Sequence, residues 1–501
     1  KINEIINKTF FEPCAGIGIF IIAYLDEIIQ NYQLKDKEII QEIINNIYYA
    51  DIDPDAIELL RIILPRYLKQ KYEVNIKFKK DNCYIGNVLF DTSNQNILKQ
   101  DPIKLFNIKN KFDFILTNPP YRLLKVNSNK YEKDGSHNHY DEIKELLGFI
   151  RGNNIYKYNE GTLNYYKIFI EEILENYTTD KARVGLLIPN TLLNDKQSSL
   201  LRQRILSSYH LNRLYTIPEK NVFFQDISQA FCFFMLDKSK STSSMEIIND
   251  VDSEEKLNNR GYQLELDTIR KTSDSFSIII TDSDGIKILK KISTNEKLGE
   301  LGLLNLRGEL DLTLHKHFIT EEKTDYPLLK GINIDDYSIK GHDVFVDNLF
   351  LEKIKSKLNH VSSIRIVGQQ ISNMNKKKRL KFALINKNYI LGNSCNYLLL
   401  SQNLFGNSNI SLKYLLGILN SRLLDWRFRI TNSNNHISNY EISELPIATT
   451  NDKKQIYDIE KLVDKLIKTK EKKTEEELNN IVFDLYGINE YERNYINKNY
   501  E

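Results

Sequence analysis

Cysteine is scarce in this chain, with four in 501 residues. Cys14, Cys83, Cys232 and Cys395 stand far apart and form no CxxC pair. That spacing argues against a disulfide scaffold and a structural zinc site, and for a reduced, cytoplasmic setting. No apolar run approaches the roughly 20 residues that span a bilayer, so no membrane helix is expected. No secretory signal is visible, and the first residue is Lys1 rather than Met, so a natural N-terminus further upstream is expected. An excess of one charge is missing too. Sixty-nine Lys and Arg face 67 Asp and Glu, a net +2, so any basic surface must be local. No internal repeat is found. What is present is an ordinary globular balance, 41% hydrophobic and 27% charged, over a length sufficient for two or three domains.

The first half alternates short apolar runs with helical patterns, the signature of a parallel sheet with crossovers. Strands are expected at Thr9–Glu12, Ile47–Asp51, Asn75–Phe78, Phe112–Thr117, Val184–Ile188, Leu211–Thr216 and Ala230–Leu236. Helices are expected at Ile19–Gln30, Ala56–Gln70 and Tyr165–Asn176. Arg122–Thr162 reads as a long polar loop of functional kind. Near Lys238 the character changes. Ser239–Met245 reads as a linker into a region of short strands and polar loops. From Asp452 a charged helical pattern takes over, with Ile456, Ile459, Leu462, Val463 and Leu466 at helical spacing. The expected division is therefore 1–240, 241–450 and 451–501.

Phe10-Phe-Glu-Pro-Cys-Ala-Gly-Ile-Gly18 follows the first strand and opens a helix. Gly16 and Gly18 permit a sharp turn and close approach of a ligand. In such sheets the first strand-to-helix turn is where nucleotide-type cofactors bind. The second strand ends in Ala50-Asp51-Ile52-Asp53-Pro54. Asp51 can accept both ribose hydroxyls of a nucleoside, while Asp53 suits a helix cap before Pro54. A reading of both aspartates as caps stays open. Tyr84-Ile-Gly-Asn87-Val-Leu follows, and Asn87 can hydrogen-bond a purine.

Asn118-Pro-Pro-Tyr121 closes the apolar strand Phe112–Thr117. An aromatic exocyclic amine is a poor nucleophile, because its lone pair is delocalised into the ring. The Asn118 side-chain oxygen and the Pro119 carbonyl can each accept a hydrogen bond from it and favour the pyramidal nitrogen needed to attack a methyl donor. Pro119 and Pro120 fix the backbone, and Tyr121 offers a ring face for a base. His137-Asn-His139 with Asp141 has metal-type residues but no third anchor nearby, so no metal site is expected.

The order FEPCAGIG, ADIDP, GNVL, NPPY resembles the class I S-adenosylmethionine-dependent N6-adenine DNA methyltransferases of the TaqI-like, restriction–modification type. The likeness implies a Rossmann-like α/β sheet with helices on both faces, a mixed α+β target-recognition domain and C-terminal helices. It implies S-adenosyl-L-methionine bound by Glu12, Pro13, Cys14, Ala15, Gly16, Gly18, Asp51, Ile52, Asn87 and Asn118. Asn87 departs from the family, which usually has Asp there. A second aromatic, opposite Tyr121 on the flipped base, falls on Phe223, with Phe224 in reserve, in Asn221-Val-Phe-Phe-Gln-Asp226. Family members usually carry a segment before the first motif that closes over the cofactor, and here that segment is expected to lie upstream of Lys1 or to be supplied by another chain.

Arg365-Ile-Val-Gly-Gln-Gln370, Asn393–Asn396, Leu415–Arg422 and Glu444-Leu-Pro446 are similar to the progression in the family's specificity domains. Lys376, Lys377, Lys378 and Arg379 are candidate DNA-phosphate contacts, with a solvated turn as the competing reading. For Trp426 and Phe428, core packing is favoured over nucleic-acid contact. The expected partner is double-stranded DNA, with a cognate restriction endonuclease as a further one. The expected state is a monomer, in the bacterial cytoplasm and nucleoid-associated through DNA. An RNA adenine methyltransferase, a protein-glutamine methyltransferase and a catalytically silent DNA-binding subunit remain as alternatives.

Overall fold

The computed structural model describes residues 2–92, 96–125, 137–224, 229–400, 410–432, 435–498 and 500. It divides into two compact units, Lys1–Asp267 with Ser275–Ser277, and Thr268–Asp274 with 278–501. Among the described residues no helix is long and apolar enough to cross a membrane.

The first unit is built on a nine-stranded sheet. Its strands are β1 Phe10–Glu12, β2 Ile47–Asp51, β3 Cys83–Ile85, β4 Phe112–Thr117, β5 Thr178–Pro189, β6 His210–Ile217, β7 Phe231–Asp237, β8 Ser244–Ile248 and β9 Tyr262–Glu265. The order across the sheet is β3-β2-β1-β4-β5-β7-β6-β8-β9. The run from β3 to β5 is parallel, and β7 enters antiparallel between β5 and β6. The order reverses at β1, which therefore sits beside both β2 and β4. In open α/β sheets the ligand crevice lies at the carboxyl ends of the strands flanking such a switch. This is a Rossmann-like α/β fold.

Helices α1 Ile19–Asn31, α2 Pro54–Tyr72, α3 His137–Gly152 and α4 Tyr165–Glu172 lie between the strands in sequence. Ile21, Leu25, Ile28 and Ile29 of α1 pack with Ile57, Leu60, Leu64 and Leu68 of α2 in one buried core. Their spacing of three and four residues is what gives each helix an apolar stripe. Asp53 caps α2, accepting from Asp55 N at 2.9 Å, with Pro54 at the first helical position.

Several expectations are corrected. Asn75–Phe78 is not a strand. Gln41 bonds Lys77 through both N–H and C=O, at 2.9 and 2.8 Å, so the backbone groups that a ladder would need are already engaged. Ile76 and Phe78 pack against the helical core instead, and β3 forms seven residues later at Cys83. The expected helix Tyr165–Asn176 is α4 followed by a single π turn at Ile173–Tyr177. The segment 122–162 contains α3. Strands β8 and β9 continue the first sheet past residue 240, with β8 lying parallel to β6.

The second unit contains a four-stranded antiparallel sheet of β10 Leu303–Arg307, β11 Arg365–Gln369, β12 Phe382–Ile385 and β13 Cys395–Leu400, in the order β10-β13-β11-β12. The motifs noted in this half turn out to support the fold. Arg365 forms a fully buried ion pair with Glu309. Asn396 donates to the Ile437 carbonyl at 2.7 Å, and Asn420 exchanges two 2.8 Å bonds with the Phe382 backbone. Helix α5 Arg422–Arg429 buries Trp426 and Phe428, which are core residues. Lys453–Thr469, Lys472–Leu485 and Glu490–Lys498 are helices of this same unit.

Candidate active site

The turn after β1 is shaped by two glycines in the left-handed region, Gly16 with φ 50° and Gly18 with φ 82°. At Gly18 a Cβ would also stand 2.8 Å from Leu60 Cγ, so the start of α1 approaches α2 too closely for any side chain. Asp51, at the end of β2, ties this turn to its neighbour. One carboxylate oxygen accepts from Gly16 N at 2.8 Å and the other from Asp53 N at 3.0 Å. Each oxygen keeps a further lone pair for an outside donor.

A cleft of about 380 Å³ opens beside these turns, within the usual range for small-molecule sites. Pro13, Cys14, Gly16, Asp51, Ile52, Asn87, Asn118 and Pro120 all line it. Ile52 is 73% exposed, an apolar side chain held out for want of a partner. Asn87 Oδ1 is engaged by Leu89 N at 2.9 Å and Phe90 N at 3.4 Å, which orients the amide so that its N–H₂ end remains for the cleft. Ala15 and Gly18 shape the loop from behind, Ala15 N donating to Ala50 O at 2.9 Å.

Glu12 is buried, and its Oε2 has no hydrogen-bond partner. Burial first, then the charge of Asp51, push its carboxyl well above the usual carboxylate range, against one lowering bond from the Ile21 backbone at the start of α1. Cys14 is raised as well, by burial and then by Asp51 and Glu12, so it is an unreactive thiol. A buried carboxyl one residue before the cleft-lining Pro13 can ionise against a cationic ligand group.

Sequence reasoning missed the far wall. Tyr165 and Phe169 line the cleft from α4, with Arg122. Asn164 places them. It caps α4 by accepting from Tyr166 N at 3.2 Å and donates to Tyr121 O at 3.2 Å. The signal was available as an Asn cap before two aromatics spaced i, i+4.

Asn118 is exposed at the cleft, and Pro119 is buried beneath it. Tyr121 is half-buried. Its hydroxyl donates to Asn118 Oδ1 and lies 3.1 Å from the Leu187 carbonyl. Its ring packs at 5.6 Å from Phe231 and edge-on to Tyr166 at 6.2 Å. Phe223 and Phe224 join Tyr121 in this cluster around Leu187, Ile217 and Phe231. Asn221 Oδ1 holds both by their backbone N–H, at 2.9 and 2.8 Å. The structure thus brings Tyr121 and Phe223 to one place. Gln225 and Asp226 lie outside the described residues.

The basic cluster separates. Lys376 and Lys377 are exposed. Lys378 is paired with Asp336 at 2.8 Å and is mostly buried. Arg379 is 2% exposed and donates to Asn432 Oδ1 and the Ser372 carbonyl. As phosphate contacts, Lys378 and Arg379 are corrected, because one is paired with Asp336 and the other is buried inside the fold. Asp141 is exposed, and the side chains of His137 and His139 lie outside the described residues. Among the described residues no group of three metal-ligating side chains is found.

Residues 45–223 match the Eco57I restriction-modification methylase family, and residues 326–447 match the TaqI-like C-terminal specificity domain. No curated protein sequence matches the chain. The solved structure of the type IIL restriction-modification enzyme MmeI in complex with DNA is similar, with TM-score 0.50 and 12% identity over 99% of this chain and 73% of that one. That likeness supports the fold. The type IIG restriction endonuclease BpuSI gives TM-score 0.38 and 14% identity over 97% of this chain and 64% of that one. A modification subunit of a putative type I restriction enzyme from Vibrio vulnificus YJ016 gives 0.34 and 14% over 55% of each chain.

Proposed function

We propose that this restriction–modification methylase, with its Eco57I-type methylase domain and TaqI-like specificity domain, methylates N6 of adenine in duplex DNA, with S-adenosyl-L-methionine as cofactor. The single observation that carries the reading is the position of Asn118. It lines the cleft that holds Asp51 and Asn87, while its hydrogen-bond partner Tyr121 roots the aromatic cluster with Phe223. A group held on the aromatics would therefore present its amine at the cleft.

The residues present fit the cofactor. Asp51 has lone pairs left for ribose hydroxyls, Ile52 and the rings of Tyr165 and Phe169 offer apolar walls for a purine, and Glu12, next in sequence to the cleft-lining Pro13, can ionise against an ammonium group. When bound, S-adenosyl-L-methionine supplies an electrophilic methyl on a sulfonium.

The target adenine has to leave the duplex, since its amine is paired inside the helix. Tyr121 and Phe223 stack on the extruded base. Asn118 Oδ1 and the Pro119 carbonyl accept the two amine hydrogens, so the nitrogen lone pair turns out of the ring plane towards the methyl. The extra proton on the methylated nitrogen passes to solvent, and no strong general base is demanded. Catalysis is then positioning and polarisation in a site prepared beforehand. A cognate endonuclease activity elsewhere in the same system is part of this proposal.

The test is transfer of tritiated methyl from the cofactor to duplex DNA, RNA and protein in parallel. Duplex DNA is expected to be labelled on adenine. Asn118→Ala is expected to lose methyl transfer while cofactor and DNA binding persist, because the lost contact acts on the reacting amine. Near-normal turnover by Asn118→Ala would overturn the cradle. Label appearing only in RNA or on glutamine would overturn the substrate.

A further inference from the structure

The turn that follows β11 carries an unusual combination. Ile371 is 55% exposed and Met374 43% exposed, two large apolar side chains held in water on one short loop. Asn373, Asn375, Lys376 and Lys377 are exposed with them. Single exposed apolar residues need no explanation, but a loop that pairs them with amides and lysines offers three kinds of contact at once.

The loop is also rigidly built. Ser372 N donates to Asn435 O at 2.9 Å, and Met374 N donates to Asn435 Oδ1 at 3.0 Å. Within the loop, Asn375 N donates to Asn373 Oδ1 at 2.8 Å and Lys376 N to Asn373 O at 3.2 Å. Two arginines hold it, one of them buried. The buried guanidinium of Arg379 donates to Ser372 O at 3.2 Å, and Arg429 donates to Lys376 O at 3.2 Å and to Lys377 O. A buried guanidinium is costly to desolvate, and here it is committed to holding a surface loop in shape. The backbone conformation is therefore set before any partner arrives, which removes an ordering cost from binding.

We infer that this loop, residues 371–377, reads duplex DNA directly, an inference that rests on the DNA reading above. Lys376 and Lys377 meet phosphates and fix the register. Asn375, whose side-chain amide makes no hydrogen bond among the described residues, can pair with the two-atom edge of a base, as amides do with adenine in the major groove. Ile371 and Met374 meet a thymine methyl or wedge against a base step. Charge and chemistry here favour a nucleic-acid partner over a protein one, since lysine is depleted at the centre of protein interfaces.

The experiment is selection by the full chain from a pool of random-sequence duplex DNA, repeated with two variants. One is Ile371→Ala/Met374→Ala/Asn375→Ala and the other Lys376→Gln/Lys377→Gln. All five side chains are exposed, so both variants are expected to melt as the wild type does, which thermal unfolding checks. The first variant is expected to lose base preference at one or more positions of the selected sequence and to bind it about tenfold more weakly. Its binding to unselected duplex should stay within about twofold. The lysine variant is expected to keep the same selected sequence, weaken both duplexes alike, and shallow the salt slope by roughly 1–2. Selection of an unchanged sequence with an unchanged affinity ratio by the first variant would overturn the inference and leave the loop to a protein partner. Failure of the wild type to enrich any duplex would bring down the DNA reading itself, and the inference with it.

Discussion

Tyr121 holds the atom that the target amine is proposed to use. Its hydroxyl donates to Asn118 Oδ1, so an incoming base has to displace a phenol before it can be polarised. The ring and the hydroxyl therefore pull in opposite directions, and two substitutions separate them. Tyr121→Phe keeps the stacking face and frees Asn118, so base capture should tighten and KM for DNA should fall. Tyr121→Ala loses stacking of roughly 1–3 kcal/mol and should weaken base capture. Steady-state methylation kinetics of the pair checks this, and a higher KM for Tyr121→Phe would contradict the displacement. Glu12 carries a second residue-scale consequence. Its carboxyl is raised in the folded protein, chiefly by burial and then by Asp51, so the folded state keeps a proton that the unfolded chain releases near 4.5. Stability from this group is therefore fullest below that pH and is lost as pH rises towards the folded value. Glu12→Gln keeps the acceptor for Ile21 N and cannot ionise. Urea unfolding at pH 5 and pH 8 should show wild type losing more stability between the two than Glu12→Gln does.

At the scale of elements, the turn between β1 and α1 is tightly constrained at Gly18. Gly18→Ala would place a Cβ 2.8 Å from Leu60 Cγ at a φ of 82°, so two costs act together. Strain of this kind is of order 1–3 kcal/mol, and the loss should appear both in denaturant midpoint and in cofactor binding. Gly16→Ala meets no neighbour within 4 Å and should cost less, through its φ of 50° alone. Calorimetric titration and urea unfolding of the two variants rank them. The same elements show what was legible beforehand. Strand ends carrying Gly-x-Gly, Asp51 and Asn118 could be read because the ligand side of such a sheet is written locally, in short runs at strand termini. Asp53-Pro54 could be read as a cap for the same reason. Asn75–Phe78 could not, because the decision lay with Gln41, thirty-six residues away, whose side chain engages Lys77. Lys378 and Arg379 misled in the same way. A basic run looks solvated until Asp336 and Asn432, distant in sequence, take up its donors.

For the whole molecule, the question is how one methylase unit and one specificity unit meet a duplex. The sequence holds a single specificity region and no internal repeat that would supply a second. Two-fold symmetric sites are most naturally read by two-fold symmetric dimers, whereas one asymmetric reading surface presents different side chains to each half of its site. Under the proposed function, one cradle built on Asn118 would also act on one adenine at a time. The chain is therefore expected to work as a monomer and to methylate one strand of an asymmetric sequence. Light scattering of the protein with and without DNA should give one chain per duplex. Base-resolved methylation mapping after a single turnover should find label on one strand only. Equal methylation of both strands at a palindrome, together with a two-chain complex, would mean that the reading surface is completed by a second copy.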